Sequence, residues 1–198
     1  KGQVVSYVKE SFDKDYYSSE ELEASIDQTI LDYNTAGGSE NVKKKKFEVK
    51  DQNAELTMSY ASGDDYSKFN QVTFFTGDVL TAYQAGYDFS GKFQSVEKGQ
   101  VTGADVTGND ILNSYNYGLV ILTEPILVKV PGNIVYASDN VEITGKKSAR
   151  VLSEAEAGAE AQEPETNEDG AISLSPVSSG SAKETEGSTA ALAYILYE

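Results

Sequence analysis

The chain contains no histidine and no cysteine in 198 residues, and it also lacks tryptophan. Without cysteine there are no disulfide bonds and no thiolate nucleophiles, and without histidine the usual Ser-His and Cys-His catalytic pairs are excluded. Zinc sites built on His and Cys are excluded for the same reason. No run approaches 18 apolar residues, so no membrane-spanning helix is predicted. Ser–Lys dyads, carboxylate pairs and oxygen-bound cations are the site chemistries that remain.

Positive charge is also scarce. The chain has 16 basic and 32 acidic residues, a net charge of -16, and Arg150 is its only arginine. Such a field repels nucleic acids and anionic lipids, so no nucleic-acid binding is predicted. Lys43–Lys46 is the one basic run. It either guards a sheet edge against unwanted strand pairing or docks an anionic surface polymer.

The composition of the chain changes at Ser153. Residues 153–190 consist almost wholly of Glu, Ala, Gly, Ser, Thr and Pro, with nine acids and one lysine, and so carry half of the net charge. This composition cannot bury enough apolar surface to offset the entropy lost on ordering. We therefore predict an acidic, low-complexity excursion loop over 153–190, in which three apolar side chains could dock weakly on the fold: Ile172, Leu174 and Val177.

The chain closes on an apolar run, Ala191–Tyr197, that is apolar on both faces of an extended strand. Such a strand requires cover on both sides, as a central strand of a sheet receives. We therefore predict that it returns to the sheet, so that residues 1–152 plus 191–198 form a single domain. The alternative is a free terminal peptide that adds as a strand to a partner protein.

A helix is predicted over Tyr17–Asn34. Ser18 and Glu21 have the spacing of a capping box, and Leu22, Ile26 and Ile30 form an apolar stripe at helical spacing. Short helices are predicted over Asp65–Asn70 and Asp78–Ala85, and loops around one strand over Phe89–Asn116. Period-two or aliphatic runs predict strands at the following places: Lys43–Lys50, Ala54–Tyr60, Val72–Phe75, Leu119–Leu122, Ile126–Val130, Ile134–Ala137, Val141–Thr144 and Ala149–Leu152. Asp51-Gln52-Asn53 predicts a hairpin turn between Lys43–Lys50 and Ala54–Tyr60. Val4–Phe12 alternates loosely and is either a first strand or an extended arm.

Helices therefore come early and strands late. This order favours an α+β fold with a mainly antiparallel sheet, an N-terminal amphipathic helix and one or two short helices packed on it.

No catalytic, cofactor-binding or metal-binding residue is predicted. Ser6–Lys9 and Ser11–Lys14 match the Ser-x-x-Lys pattern, but the accompanying motifs of that enzyme class are missing. The short acidic runs at Asp13–Asp15, Asn109–Asp110 and Asn167–Gly170 are incomplete as calcium loops. Abundant acids are expected on the solvated surface, among them Asp64, Asp65, Asp88, Asp105 and Asp110.

Several stretches together resemble uncharacterised lipoproteins of gut-dwelling Gram-positive Clostridia. They are YYSSEELEASIDQTILDYN, DDYSKFNQVTFFTGDVLTAYQAGYDF, ILTEPILVKVPGNIVYASDNVEI and AYILYE. The resemblance implies a signal with a lipid-bearing cysteine upstream of Lys1, and a domain held at the extracellular face of the cell membrane by that lipid alone. It carries no functional residue.

Two functions are expected from these observations. The first is a non-catalytic extracytoplasmic lipoprotein domain with a binding or structural role at the cell envelope, whose partner is a protein or carbohydrate component of the envelope. The alternative is a carboxylate-dependent hydrolase acting on a glycan or cell-wall substrate, which requires two inward-facing carboxylates in one pocket.

Overall fold

The computed structural model describes residues 2–12, 18–50, 52–153, 172–176 and 191–198. Within them the helices are α1 (Ser19–Gly37), α2 (Gly63–Asn70), α3 (Val79–Gln84) and α4 (Gly108–Asn113). The strands of the same residues are β1 (Val4–Ser11), β2 (Val42–Lys50), β3 (Asn53–Tyr60), β4 (Phe74–Asp78), β5 (Phe93–Glu97), β6 (Gln100–Val106), β7 (Gly118–Leu122), β8 (Ile126–Lys129), β9 (Ile134–Ser138), β10 (Val141–Ile143), β11 (Ser148–Val151), β12 (Ile172–Pro176) and β13 (Ala193–Tyr197).

The strands form two sheets. Sheet A has seven strands in the order β10-β11-β8-β12-β1-β3-β2, and sheet B has six in the order β4-β7-β13-β9-β5-β6. Among the described strands, β1 and β12 form a parallel pair, and the other pairs are antiparallel. The fold is therefore α+β with mostly antiparallel sheets, as the order of elements predicts.

Two apolar cores stack across sheet B. One lies between the sheets and joins Val4 and Tyr60 of sheet A to Leu122 and Ile195 of sheet B. The other covers the opposite face of sheet B with side chains from α3, α4 and the segment that contains Phe89. Because sheet B is covered on both faces, its central strands are apolar at successive positions rather than at alternate ones.

The C-terminal strand β13 lies inside sheet B. It pairs with β7 on one side and β9 on the other, and Ile195 and Leu196 are fully buried in opposite cores. Gly118 faces Tyr197 across the β7–β13 pair, where an added Cβ atom would lie 2.3 Å from the tyrosine ring. The two apolar faces of this run are thus both used, as its sequence predicts.

A strand lies inside the range that the sequence predicts to be a loop. Ile172–Pro176 forms β12 between β1 and β8, and Ile172 and Leu174 are at most 2% exposed. The two side chains are therefore part of the core, where only weak docking on the fold was predicted. The surrounding composition concealed a five-residue strand, because a strand needs only alternate apolar positions to fill its side of a core. Val177 lies outside the described residues.

The prediction for Phe89–Asn116 was wrong in part. This range contains two strands and a helix, where loops around one strand were expected. Six of the seven residues of β6 are exposed, so this edge strand shows no apolar alternation. Its best sequence signal is Lys98-Gly99, whose φ angles of 54° and 83° are those of a tight hairpin turn.

The helix α1 has the predicted N-terminal cap. The Ser18 side chain accepts a hydrogen bond from the Glu21 amide, and the Glu21 side chain accepts one from the Ser18 amide; Tyr17 lies outside the described residues. The helix follows β1 rather than opening the fold, and none of its residues is buried. It is thus a partly exposed element that lies beside β2 and packs Ile30 and Tyr33 against the core.

Candidate ligand-binding cleft

A cleft of about 350 Å³ lies between α1 and sheet A. The size is at the lower end of the roughly 300–1,000 Å³ typical of small-molecule sites. Its walls come from α1, α2, β1, β3, β12 and the chain around β8. The lining residues are Ser6, Tyr7, Val8, Glu10, Ser25, Ile26, Thr29, Leu56, Met58, Tyr60, Tyr66, Phe69, Asn70, Glu124, Ile126, Leu174 and Ser175.

The floor of the cleft is the face of β1 and β3 turned toward α1. In the register of these strands Ser6 lies opposite Met58 and Val8 lies opposite Leu56, so the four side chains share one face. Apart from Ser6, this floor is apolar. In the sequence, this floor corresponds to the period-two pattern of β3, the same pattern that predicts the hairpin of β2 and β3.

One end of the cleft is closed by aromatic rings. The Tyr60 ring lies 5.0 Å from the Tyr66 ring and 5.8 Å from the Phe69 ring, both in edge-to-face geometry. The Tyr60 hydroxyl is hydrogen-bonded to Ser6 Oγ at 3.3 Å. Burial raises the pKa of Tyr60 and of Tyr66, so both phenols stay neutral at physiological pH.

Glu124 brings a half-buried carboxylate to this aromatic end. It sits where the chain passes from β7 of sheet B to β8 of sheet A, and its carbonyl accepts a hydrogen bond from the Ile126 amide around Pro125. The Tyr66 hydroxyl donates to Glu124 Oε2 at 3.1 Å. Burial raises the pKa of Glu124 above the usual 4.5, and the bond from Tyr66 offsets this only in part.

No lysine or arginine lines the cleft. Among the described residues no basic side chain pairs with Glu124. The second carboxylate in the lining is Glu10, which is exposed at the end of β1. The cleft is therefore lined by two carboxylates and apolar walls, with no basic side chain.

Polar ties hold α1 over the cleft. Lys44 Nζ lies 2.6 Å from Glu23 and 2.8 Å from Asp27, and the Lys44 side chain is only 19% exposed. The Asn34 side chain both donates to and accepts from the backbone of Val42, at 2.8 and 3.0 Å. No residue of α1 is fully buried, and these polar contacts add to the packing of Ile30 and Tyr33 against the core.

Asp65 joins α1, α2 and the approach to β2. Its carboxylate accepts hydrogen bonds from Tyr33 at 3.2 Å, from Asn41 at 2.9 Å and from Ser62 at 2.6 Å. Burial alone would raise the pKa of Asp65, but these three bonds outweigh it and hold the pKa below 3.8. Asp65 therefore departs from the solvated surface predicted for it, whereas Asp64, Asp88, Asp105 and Asp110 are exposed.

Among the described residues, the Ser-x-x-Lys matches form no Ser–Lys dyad. Ser6 is bonded to Tyr60, while Lys9 pairs with Glu55 at 3.1 Å. Residues three apart on a strand point to opposite faces, so the motif cannot bring Ser6 and Lys9 together. Lys14 of the second match lies outside the described residues.

The basic run Lys43–Lys46 lies in β2, at the edge of sheet A. Lys43 and Lys46 pair with exposed acids, Glu40 and Glu48, and the register slips between Lys44 and Lys46. Charge and an irregular register both discourage edge pairing. The placement favours the interpretation of this run as an edge guard, with Lys44 additionally holding α1.

Within the described ranges no group of three or more acidic side chains is placed to hold a metal ion. Of the incomplete calcium runs, Asp110 instead accepts hydrogen bonds from Thr107 as part of the cap of α4, and Asp13–Asp15 and Asn167–Gly170 lie outside those ranges. None of the described helices is long and apolar enough to cross a membrane.

Sequence reasoning did not single out Glu124. The one signal available is its position, a lone acid between the aliphatic runs of β7 and β8. Comparison of the chain with protein-family models, with curated proteins and with solved structures finds no match.

Proposed function

We propose that this chain is a non-catalytic binding domain and that the cleft beside α1 holds its small ligand. The observation that carries this proposal is the composition of the cleft: apolar and aromatic side chains mixed with polar ones, among them the half-buried Glu124 carboxylate at the aromatic end. This is the usual make-up of a small-molecule site, in which apolar surface supplies affinity and the polar groups fix orientation. The half-buried stripe of α1, with Ile26 in the lining, is the amphipathic face that completes it.

The proposed location is the extracytoplasmic face of the cell membrane, with a lipid anchor upstream of Lys1. The resemblance to envelope lipoproteins supports this location. The full reading frame tests it. A signal peptide that ends in a lipid-accepting cysteine is expected, and a reading frame without one contradicts the location.

Filling the cleft is expected to weaken ligand binding. Ser25 is an exposed residue of α1 that lines the cleft, so Ser25→Trp places a large side chain in it without disturbing a buried position. Ligand-observed NMR with a library of small soluble molecules is the measurement. Molecules that bind the wild-type chain are expected to lose at least about tenfold in affinity, or 1.4 kcal/mol, in this variant.

Ala24→Trp is the matched control. Ala24 is the adjacent exposed residue of α1 and does not line the cleft. It is expected to leave binding unchanged, while both variants retain the wild-type circular dichroism spectrum. Ligands that bind both tryptophan variants as well as the wild type would show that the cleft is not the binding site.

A second candidate is the carboxylate-dependent hydrolase. The observation in its favour is that Glu10 and Glu124 line one cleft and that burial raises the pKa of Glu124, as a general acid requires. Release of reducing sugar from cell-wall and dietary glycans measures it. Activity that falls at least about 10²-fold in Glu124→Gln and in Glu10→Gln would establish the hydrolase and displace the binding domain.

A further inference from the structure

We propose that the ligand of the cleft is a small organic cation, an ammonium group carried on an apolar body. The proposal rests on the binding function proposed above and adds the chemical class of the ligand. In this arrangement the ammonium group contacts the Glu124 carboxylate at the aromatic end, and the apolar body lies along the floor formed by β1 and β3.

The first support is the state of Glu124 itself. Its side chain is half-buried, and among the described residues it accepts one side-chain hydrogen bond, at Oε2 from Tyr66. Removing a carboxylate from water without a cationic partner is unfavourable. An ammonium group at Oε1 supplies both the missing charge and a hydrogen-bond donor, so binding relieves a cost that the unliganded protein carries.

The second support is charge selection by the rest of the lining. Glu10 adds a further negative charge, and no lysine or arginine lines the cleft to hold an anion. The net charge of -16 raises the local concentration of cations still further. An anionic ligand would meet like charge from both carboxylates of the lining.

The third support is that the lining of the cleft favours a cation with an apolar body over a neutral, polyhydroxylated ligand. The floor side chains Val8, Leu56 and Met58 offer no hydrogen bonds, and the Tyr66 hydroxyl already donates to Glu124. The face of a sugar turned toward this floor would leave its hydroxyls unpaired, at a cost for each. A cation gains from the neighbouring aromatic rings as well, because π systems attract positive charge.

Three probes of nearly equal size and different charge test the proposal: 2-phenylethylamine, 2-phenylethanol and 3-phenylpropionate. Affinities are measured at pH 7 by ligand-observed NMR on the full chain. The amine is expected to bind at least about tenfold more tightly than the alcohol, because a charge-assisted hydrogen bond replaces a neutral one. The propionate is expected to bind more weakly than either.

Two variants assign the effect to Glu124. Glu124→Gln is expected to reduce the affinity for the amine at least about tenfold and to leave that for the alcohol within about twofold. Glu97→Gln changes the net charge by the same amount at an exposed position outside the cleft, and is expected to alter neither. The melting temperature of Glu124→Gln should equal or exceed that of the wild type, since the variant removes a desolvated charge, and this shows that the protein remains folded.

The outcomes separate this proposal from the binding function. The cation proposal is overturned if the alcohol or the propionate binds as tightly as the amine. It is also overturned if Glu124→Gln leaves the affinity for the amine unchanged while Ser25→Trp excludes all three probes. In these cases the cleft remains a binding site. Both proposals fall if Ser25→Trp excludes none of the probes that bind the wild type. They also fall if none of the three probes and no library molecule binds the wild type.

Discussion

Deletion of residues 191–198 is expected to leave a chain that does not fold. The deletion removes β13, which lies between β7 and β9 and buries Ile195 in one core and Leu196 in the other. Truncating a single buried aliphatic side chain costs about 2–5 kcal/mol, and a domain has only about 5–15 kcal/mol in total. The loss of five strand residues with two rows of hydrogen bonds exceeds that reserve. Far-UV circular dichroism and a thermal melt are the measurements.

A graded pair of substitutions controls this experiment. Ile195→Ala is expected to lower the free energy of unfolding by about 2–5 kcal/mol, because the residue is fully buried. Ala191→Gly, at an exposed position before the strand, is expected to change it by no more than about 0.5 kcal/mol. A truncated chain with the melting curve of the wild type would mean that the terminal run is a free peptide.

Asp65→Asn is expected to destabilise the protein by about 2 kcal/mol. The substitution keeps the shape of the side chain but removes the charge that accepts bonds from Tyr33, Asn41 and Ser62. Hydrogen bonds to a charged partner contribute roughly 1.5–3 kcal/mol. Urea denaturation at pH 7 measures the effect. Asp64→Asn is the matched control, since Asp64 is exposed and, within the described part of the chain, pairs only with Lys68 one turn along α2 at 2.7 Å.

The Asp65 effect has a defined pH dependence. Because the folded-state pKa of Asp65 is lowered, its contribution is complete above the unfolded value near 3.8 and is lost as the pH falls through the folded-state pKa. The difference in stability between the wild type and Asp65→Asn is therefore expected to be constant near neutrality and to shrink below pH 3.8. A difference that is unchanged in acid, or an Asp64→Asn variant as unstable as Asp65→Asn, would contradict the role given to Asp65.

Those parts of the fold that have strong local signals could be predicted. The capping box of α1, the β2–β3 hairpin and the two-faced apolar run of β13 each specify a structure through neighbouring residues alone. The edge strand β6 could not be predicted in this way, because an exposed strand has no apolar alternation. β12 was missed for another reason. It forms a strand because β1 and β8 offer pairing edges on either side of it, and no local sequence pattern shows that.

The candidate site was harder to predict than the fold. Among 32 acids, Asp65 and Glu124 differ from the others only in what surrounds them. Asp65 meets Tyr33 and Asn41 because α1 and the start of β2 are brought beside α2. Glu124 is desolvated because the chain changes sheets there. Both environments are products of tertiary packing, so composition and spacing could not reveal them.

The positions of β12 and β13 also set the order in which the protein can fold during synthesis. Each is the strand that joins two halves of its sheet: β12 links β8 to β1, and β13 links β7 to β9. Sheet A cannot close until the ribosome has made Pro176, and sheet B cannot close until it has made Tyr197. Until then the strands beside each gap keep open edges that would pair with other chains. Sheet A can therefore be completed before sheet B, and residues 1–152 by themselves leave both sheets divided in two.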